Sequence, residues 1–376
     1  MSTAKLYSPT TIGAIEVANR IAFAPCTRCR SDNETHLATP IMAEYYAQRA
    51  SAGLLIAECT MVMPNTSAFH SEPGIYSDAH VESWRATTEA VHKAGGRIVL
   101  QIWHAGRACP AEYNSGQQPV SASAVAIPHR YNSCVQGTQV PHDTPRALTD
   151  DEVKDVVKAY AKGAANAIAA GFDGVELHGA NGYLINQFLS PKCNQRTKEE
   201  SHYSCETIET RARFLLEVVD ACTAAIGADR VGIRLSPHVT THECEWANPE
   251  TDIEYVATEL DKRKIAFIHV ERRDINRFAV NRDLTIDDTP AFRRYFKHGA
   301  LFSNAEYERE EAERAVEGGV CDMIAFGRLL LANPDLVRRF KEKRPERNAT
   351  DMSTWYGFHV SAPLGAKGYT DYPFLA

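Results

Sequence analysis

Gly174 to Pro191 reads GVELHGANGYLINQFLSP, and the rest of the chain is organised around it. Val175, Glu176 and Leu177 read as the end of a short strand, entered from Gly171 and Asp173 at the close of a helical run. His178, Asn181 and Tyr183 follow within six positions, on a turn punctuated by Gly179 and Gly182. Tyr183 to Leu189 resumes apolar residues at helical spacing, and Pro191 stops it. Two hydrogen-bonding side chains at i and i+3 on one turn can point at a common atom, and a phenol two residues later can reach the same pocket. Such a set suits holding a carbonyl oxygen, stabilising negative charge on it and delivering a proton nearby. A capped strand end whose polar groups satisfy their own backbone is the plainer alternative.

Outward from this stretch, strands and helices alternate. Leu6 to Val17 reads as a hairpin turning at Gly13. Apolar strands are expected at Ile21 to Ala24, Leu54 to Ala57, Ile98 to Ile102, Val175 to Leu177, Val231 to Leu235, Ile265 to Val270, Ala300 to Phe302 and Met323 to Phe326. Helices are expected at Ile41 to Ser51, Asp78 to Ala94, from the Thr149/Glu152 capping box to Ala170, at Glu206 to Ile226, from Asn248-Pro249, at Glu306 to Glu317 and from Asn333-Pro334. Arg107 to Arg146, rich in Pro, Ser, Gly and His, reads as an ordered excursion or lid after the third strand. Eight apolar strands separated by helices predict an α/β fold, one closed (β/α)8 barrel, better than an open doubly wound sheet. No G-x-G-x-x-G follows any strand, and there is no P-loop. A single domain spanning 1–376 follows.

Composition narrows the partners. The 376 residues are 44% hydrophobic and 24% charged, so core size does not limit the fold. The net charge of −7 and the lack of a long basic tract argue against nucleic acid or an anionic membrane. No apolar run reaches membrane-spanning length and no export signal is evident, so a soluble cytoplasmic protein is expected. The ten cysteines are then expected reduced. Cys26 and Cys29 form a lone C-x-x-C; His238, His242 and Cys244 are conceivable further ligands, but no metal is expected.

In such a barrel the active site is built from the C-terminal strand ends. Those ends carry no Lys for a Schiff base and no H-x-H or carboxylate trio for a metal. They carry Thr27, Cys59, Gln101, Trp103, His178, Asn181, Tyr183, Arg234 and Arg328. Hydrogen-bond donors, aromatics and two arginines without a nucleophile–base pair suit a large cofactor that performs the chemistry itself. Arg328, after the eighth strand, stands where these barrels commonly bind phosphate; Arg234 can set positive charge against a ring that becomes anionic on reduction. Gln101 has an amide suited to the uracil-like edge of an isoalloxazine.

APCTR (Ala24 to Arg28), SEPGIYSD (Ser71 to Asp78), LQIWHAGR (Leu100 to Arg107), HGANGYLINQFLSP, GIRLSP (Gly232 to Pro237), AFGRLLLANPDL (Ala325 to Leu336) and GYTDYP (Gly368 to Pro373) together resemble the old yellow enzyme family, most closely its trypanosomatid members. The resemblance implies a barrel binding FMN non-covalently, reduced by NADPH or NADH, that passes hydride from flavin N5 to an alkene conjugated to a carbonyl or nitro group. Quinones, or a prostaglandin endoperoxide as in prostaglandin F synthases, are implied as alternative substrates. A phosphate-binding barrel without catalysis is the rival from another class. By resemblance, His178 and Asn181 hold the substrate oxygen and Tyr183 donates the proton. Pro25, Thr27, Cys59, Gln101, Arg234, Gly327 and Arg328 form the flavin set, and Trp103 and Tyr356 the substrate pocket. Ala305 and Glu306 stand where the family often has two glycines at the phosphate; Glu306 is expected to turn outward while its N–H still donates. Phe358 to Leu364 looks inserted near the pocket mouth. Monomer and homodimer are both compatible with these motifs.

Overall fold

The computed structural model describes residues 4–132, 139–238, 241–272, 286–345, 347–357 and 365–376. The expected insertion at Phe358 to Leu364 lies outside the described residues. An antiparallel hairpin comes first, β1 (Thr10–Ile12) and β2 (Ile15–Val17), turning at Gly13 in the left-handed region (φ 55°). The first half of the barrel is β3 (Ile21–Phe23), α1 (Pro40–Gln48), β4 (Leu54–Met61), α2 (Asp78–Lys93) and β5 (Ile98–Trp103). The excursion then pairs β6 (Val120–Ser121) with β9 (Arg146–Ala147), and β7 (Arg130–Asn132) with β8 (Gln139–Pro141). After it come α3 (Asp150–Ala169), β10 (Gly174–Gly179), α4 (Leu184–Leu189), α5 (Ile208–Arg211), α6 (Arg213–Ile226) and β11 (Val231–Leu235). The chain continues through α7 (Pro249–Lys262), β12 (Phe267–Glu271), α8 (Thr289–Tyr295), β13 (Ala300–Asn304), α9 (Arg309–Glu317), β14 (Met323–Phe326), α10 (Arg328–Ala332) and α11 (Leu336–Lys341).

Eight parallel strands close in the order β10-β11-β12-β13-β14-β3-β4-β5. The hairpin plugs the N-terminal end, where Ile12, Ile15 and Val17 pack with Leu54, Val99, Phe267 and Phe302 from the strands. Outside, the helices cover a second apolar layer that includes Val175, Leu177, Ile233 and Leu235. The strands are apolar on their outer face and, near the hairpin, on their inner face too, where Phe267 and Phe302 sit; further along, the inward positions turn polar, which differs from the uniformly apolar runs expected. Side chains alternate at period two. With Leu177 and Ile233 facing the helices, Glu176, His178 and Arg234 face the barrel interior, as do His269 and Glu271 on β12. That alternation delivers polar groups toward the C-terminal end of the barrel.

Several boundaries differ from expectation. The helix expected from Glu306 begins at Arg309, because Ala305 (φ 89°) and Glu306 (φ 53°) are left-handed, a conformation that cannot propagate a right-handed helix. The helix from Glu206 starts at Ile208 and is broken at Ala212. β4 runs on to Met61 through a register shift between Ala57 and Thr60, so Glu58 and Cys59 lie within it. The Thr149/Glu152 capping box forms, with both reciprocal bonds made. No helix among the described residues is long and apolar enough to cross a membrane.

Candidate active site

A cavity of about 370 Å³ opens at the C-terminal ends of the strands. It is lined by Pro25 and Thr27 after β3, Cys59 on β4, Gln101 on β5, His178 on β10 with Asn181 and Tyr183 beyond it, and Arg234 on β11. Ala305 and Glu306 after β13, Gly327 and Arg328 after β14, and Tyr356 complete the rim. Every residue named for the site from the sequence lines this cavity except Trp103.

The turn after β10 is built by its backbone. Asn181 (φ 60°) and Gly182 (φ 78°) are both left-handed, and a Cβ on Gly182 would lie 2.5 Å from the Thr241 carbonyl oxygen. The Asn181 N–H donates to Ser236 Oγ (2.9 Å), and the Gly182 N–H to Asn186 Oδ1 (3.0 Å). His178 Nδ1 accepts from the Ala180 N–H at 3.4 Å, which in the neutral ring leaves the proton on Nε2 as a donor. Its ring stacks on Trp103 (5.7 Å between centroids, 16°), and Tyr183 stands edge-on to both, 4.3 Å from Trp103 and 4.9 Å from His178.

Trp103 is therefore corrected from a pocket wall to a backing plate. It is fully buried between His178 and Phe69 and does not line the cavity. Phe69, stacked on Tyr356 (5.4 Å, 11°), takes the wall position instead.

Deeper in, a charged network joins four strands. Gln101 Nε2 donates to Glu176 Oε1 (2.8 Å) and Cys59 Sγ to Gln101 Oε1 (2.9 Å), while His269 Nδ1 lies 2.8 Å from Glu176 Oε2. Burial pushes the Cys59 thiol well up, so it is a hydrogen-bond donor and not a nucleophile. Arg234 Nη2 donates to Glu271 Oε2 (2.8 Å) and Asn304 Oδ1 (3.0 Å). Its Nε, with Asn181 Oδ1, is buried without a hydrogen-bond partner among the described residues. Glu271 and Asn304 escaped the sequence reading because the strands were ended at Val270 and Phe302, short of both; a carboxylate and an amide closing apolar strands were the available signal.

At the rim, Arg272 donates to the Ala305 carbonyl from Nε (3.1 Å) and Nη2 (2.6 Å) and stacks on Tyr307. A planar trans peptide then turns the Glu306 N–H to the opposite side. The Glu306 side chain is exposed, and its Oε1 lies 3.4 Å from Arg328 Nη1. The C-terminal arm roofs this rim. Arg28 donates to the Trp355 (2.8 Å) and Gly368 (2.7 Å) carbonyls, and Tyr45 stacks on Tyr369 (3.9 Å, 6°), which gives the GYTDYP motif its anchoring part. His238 pairs with Asp288 (2.8 Å) and Cys244 with Cys193, so neither joins Cys26 and Cys29.

A family model described as the NADH:flavin oxidoreductase / NADH oxidase family matches residues 5–347. The chain belongs to this family, the old yellow enzymes. It is 41% identical over 374 residues to a probable flavin mononucleotide-dependent alkene reductase of Leishmania infantum, covering 98% of this chain and 97% of the relative. The old yellow enzyme of Trypanosoma cruzi superposes with a TM-score of 0.90 at 38% identity, covering 99% of each chain. Morphinone reductase in complex with tetrahydroNAD superposes at 0.87 with 38% identity, covering 99% of this chain and 98% of that one. The barrel of this old yellow enzyme is thus matched along its whole length.

Proposed function

We propose that this old yellow enzyme is an FMN-dependent NAD(P)H oxidoreductase that saturates the C=C bond of α,β-unsaturated carbonyl compounds. The observation that carries the reading is the convergence of His178, Asn181 and Tyr183 on the cavity that also holds Gln101, Arg234 and Arg328. The donor set fits a flavin mononucleotide. Among the described residues, Arg234 Nε is a buried cationic donor without a hydrogen-bond partner, and the nearest atom to where a Cβ on Gly327 would stand is Cys26 Sγ at 3.6 Å. Thr27 and Gln101 would meet the ring edge, Arg234 the pole that gains negative charge, and Arg328 with the Ala305–Glu306 turn the phosphate. When bound, FMN supplies hydride that it has taken from a nicotinamide cofactor.

The chain's own residues do the rest. His178, through Nε2–H, and Asn181, through its amide, hold the carbonyl oxygen and stabilise the negative charge that develops there. Tyr183 donates a proton to the carbon beside the carbonyl, its ring held in place by Trp103 and His178. Trp103 fixes the imidazole plane, so the donors are set before substrate arrives. The reading further assigns a single barrel domain, small electrophilic alkenes or quinones as partners, and a cytoplasmic location. The purified protein should absorb near about 450 nm and oxidise NADPH or NADH when cyclohexenone is added. A colourless protein that fails to take up FMN would reject it.

The rim makes a separate prediction. Glu306 competes with phosphate for Arg328, and an exposed pair of this kind is worth up to about 1 kcal/mol. Glu306→Gln should tighten FMN binding up to about fivefold. Glu306→Gly should tighten it by the same loss of competition. Flavin fluorescence titration of apoprotein measures both, and weaker binding by the Gln variant would contradict the competition.

A further inference from the structure

We infer that His129, His142 and His242 form a binding site for one divalent transition-metal ion beside the mouth of the active site. The three imidazoles come from separate places. His129 precedes β7 and His142 follows β8, and the pairing of Arg130 with Pro141 sets them side by side at the base of that hairpin. His242 comes from the loop after β11, where it and Glu243 are left-handed (φ 57° and 53°). That strained turn brings its ring over the excursion, with its carbonyl held by Arg107.

The spacing is that of shared ligation. One ligating nitrogen from each histidine lies within 4.8 Å of the other two, and His242 Nδ1 is 3.3 Å from His129 Nε2. Two imidazole nitrogens on a tetrahedral zinc, each at about 2.0–2.1 Å, stand about 3.4 Å apart and their ring centres about 5.3 Å apart. The ring centres here are 5.2, 5.5 and 6.0 Å apart, so only the third edge has to close. A direct His–His hydrogen bond explains the 3.3 Å contact but not the approach of the third ring. Arg107 is the opposing charge nearby, and Glu243 and Asp143 offset it.

Three imidazoles select zinc, nickel, cobalt or copper over calcium or magnesium. An ion there ties the excursion to the loop after β11, and the ring of His242 is 5.6 Å from Tyr183. The sequence reading set His242 beside His238 and Cys244 and dismissed a metal; the fold supplies different companions.

Titration calorimetry of the FMN-loaded enzyme with Zn²⁺ tests the site. One equivalent should bind, and Mg²⁺ should not. His129→Ala and His142→Ala should each weaken Zn²⁺ at least about tenfold and abolish a zinc-induced rise in Tm seen for the unaltered enzyme. The Cys193→Ser/Cys244→Ser variant should bind as the unaltered enzyme does. Absence of saturable Zn²⁺ binding, histidine variants that bind undiminished, or loss of binding only in the cysteine variant would each overturn the inference.

Discussion

Tyr183→Phe is expected to slow alkene saturation about 10²–10⁴-fold, the range for loss of a general acid, with quinone reduction unchanged. The split follows from what each reaction needs. Saturating a C=C bond requires a proton on carbon, whereas a quinone takes its protons on oxygen, where solvent suffices. Phe keeps the ring that stands 4.3 Å from Trp103 and 4.9 Å from His178, so packing is preserved while the hydroxyl is lost. Steady-state rates with cyclohexenone and menadione, with FMN content measured for each preparation, decide it. An equal fall in both rates would assign Tyr183 to cofactor or substrate binding instead.

His178→Ala is expected to lower enone turnover about 10²–10³-fold, the usual effect of removing one donor to a developing oxyanion. The same donors would hold a phenolate, so the long-wavelength charge-transfer band that phenols induce in the bound flavin should also be lost. The second readout separates donation from structure. Ala removes the ring that stacks on Trp103 as well as the Nε2–H, so a general collapse of the site would release FMN. His178→Asn, which restores an N–H donor without the ring, should recover part of both activity and band. An undiminished phenol band in His178→Ala would show that Asn181 alone, or another group, holds the oxygen.

Much of this was legible before folding was considered, and the reasons are local. The strand–turn–helix at Gly174 to Pro191 is written in apolar periodicity, Gly punctuation and the stop at Pro191. Left-handed glycine at 182 and the polar triplet around it belong to the same short stretch, so the turn that presents His178, Asn181 and Tyr183 needed no distant contact to be read. Strand ends were less secure. Glu271 and Asn304 were passed over because nothing local says whether a polar residue closes a strand or begins a loop; the register with neighbouring strands decides.

By itself, then, the sequence determined the kind of units, their number, and which polar residues close most of the strands, because these follow from periodicity along a few consecutive positions. Only the tertiary structure decided which of those residues share a space. Barrel closure paired Arg234 with Glu271, buried Trp103 behind His178, set Glu306 against Arg328 and drew His129, His142 and His242 together. Contacts between positions tens or hundreds of residues apart depend on how the strands are staggered around one axis, and no local pattern carries that information.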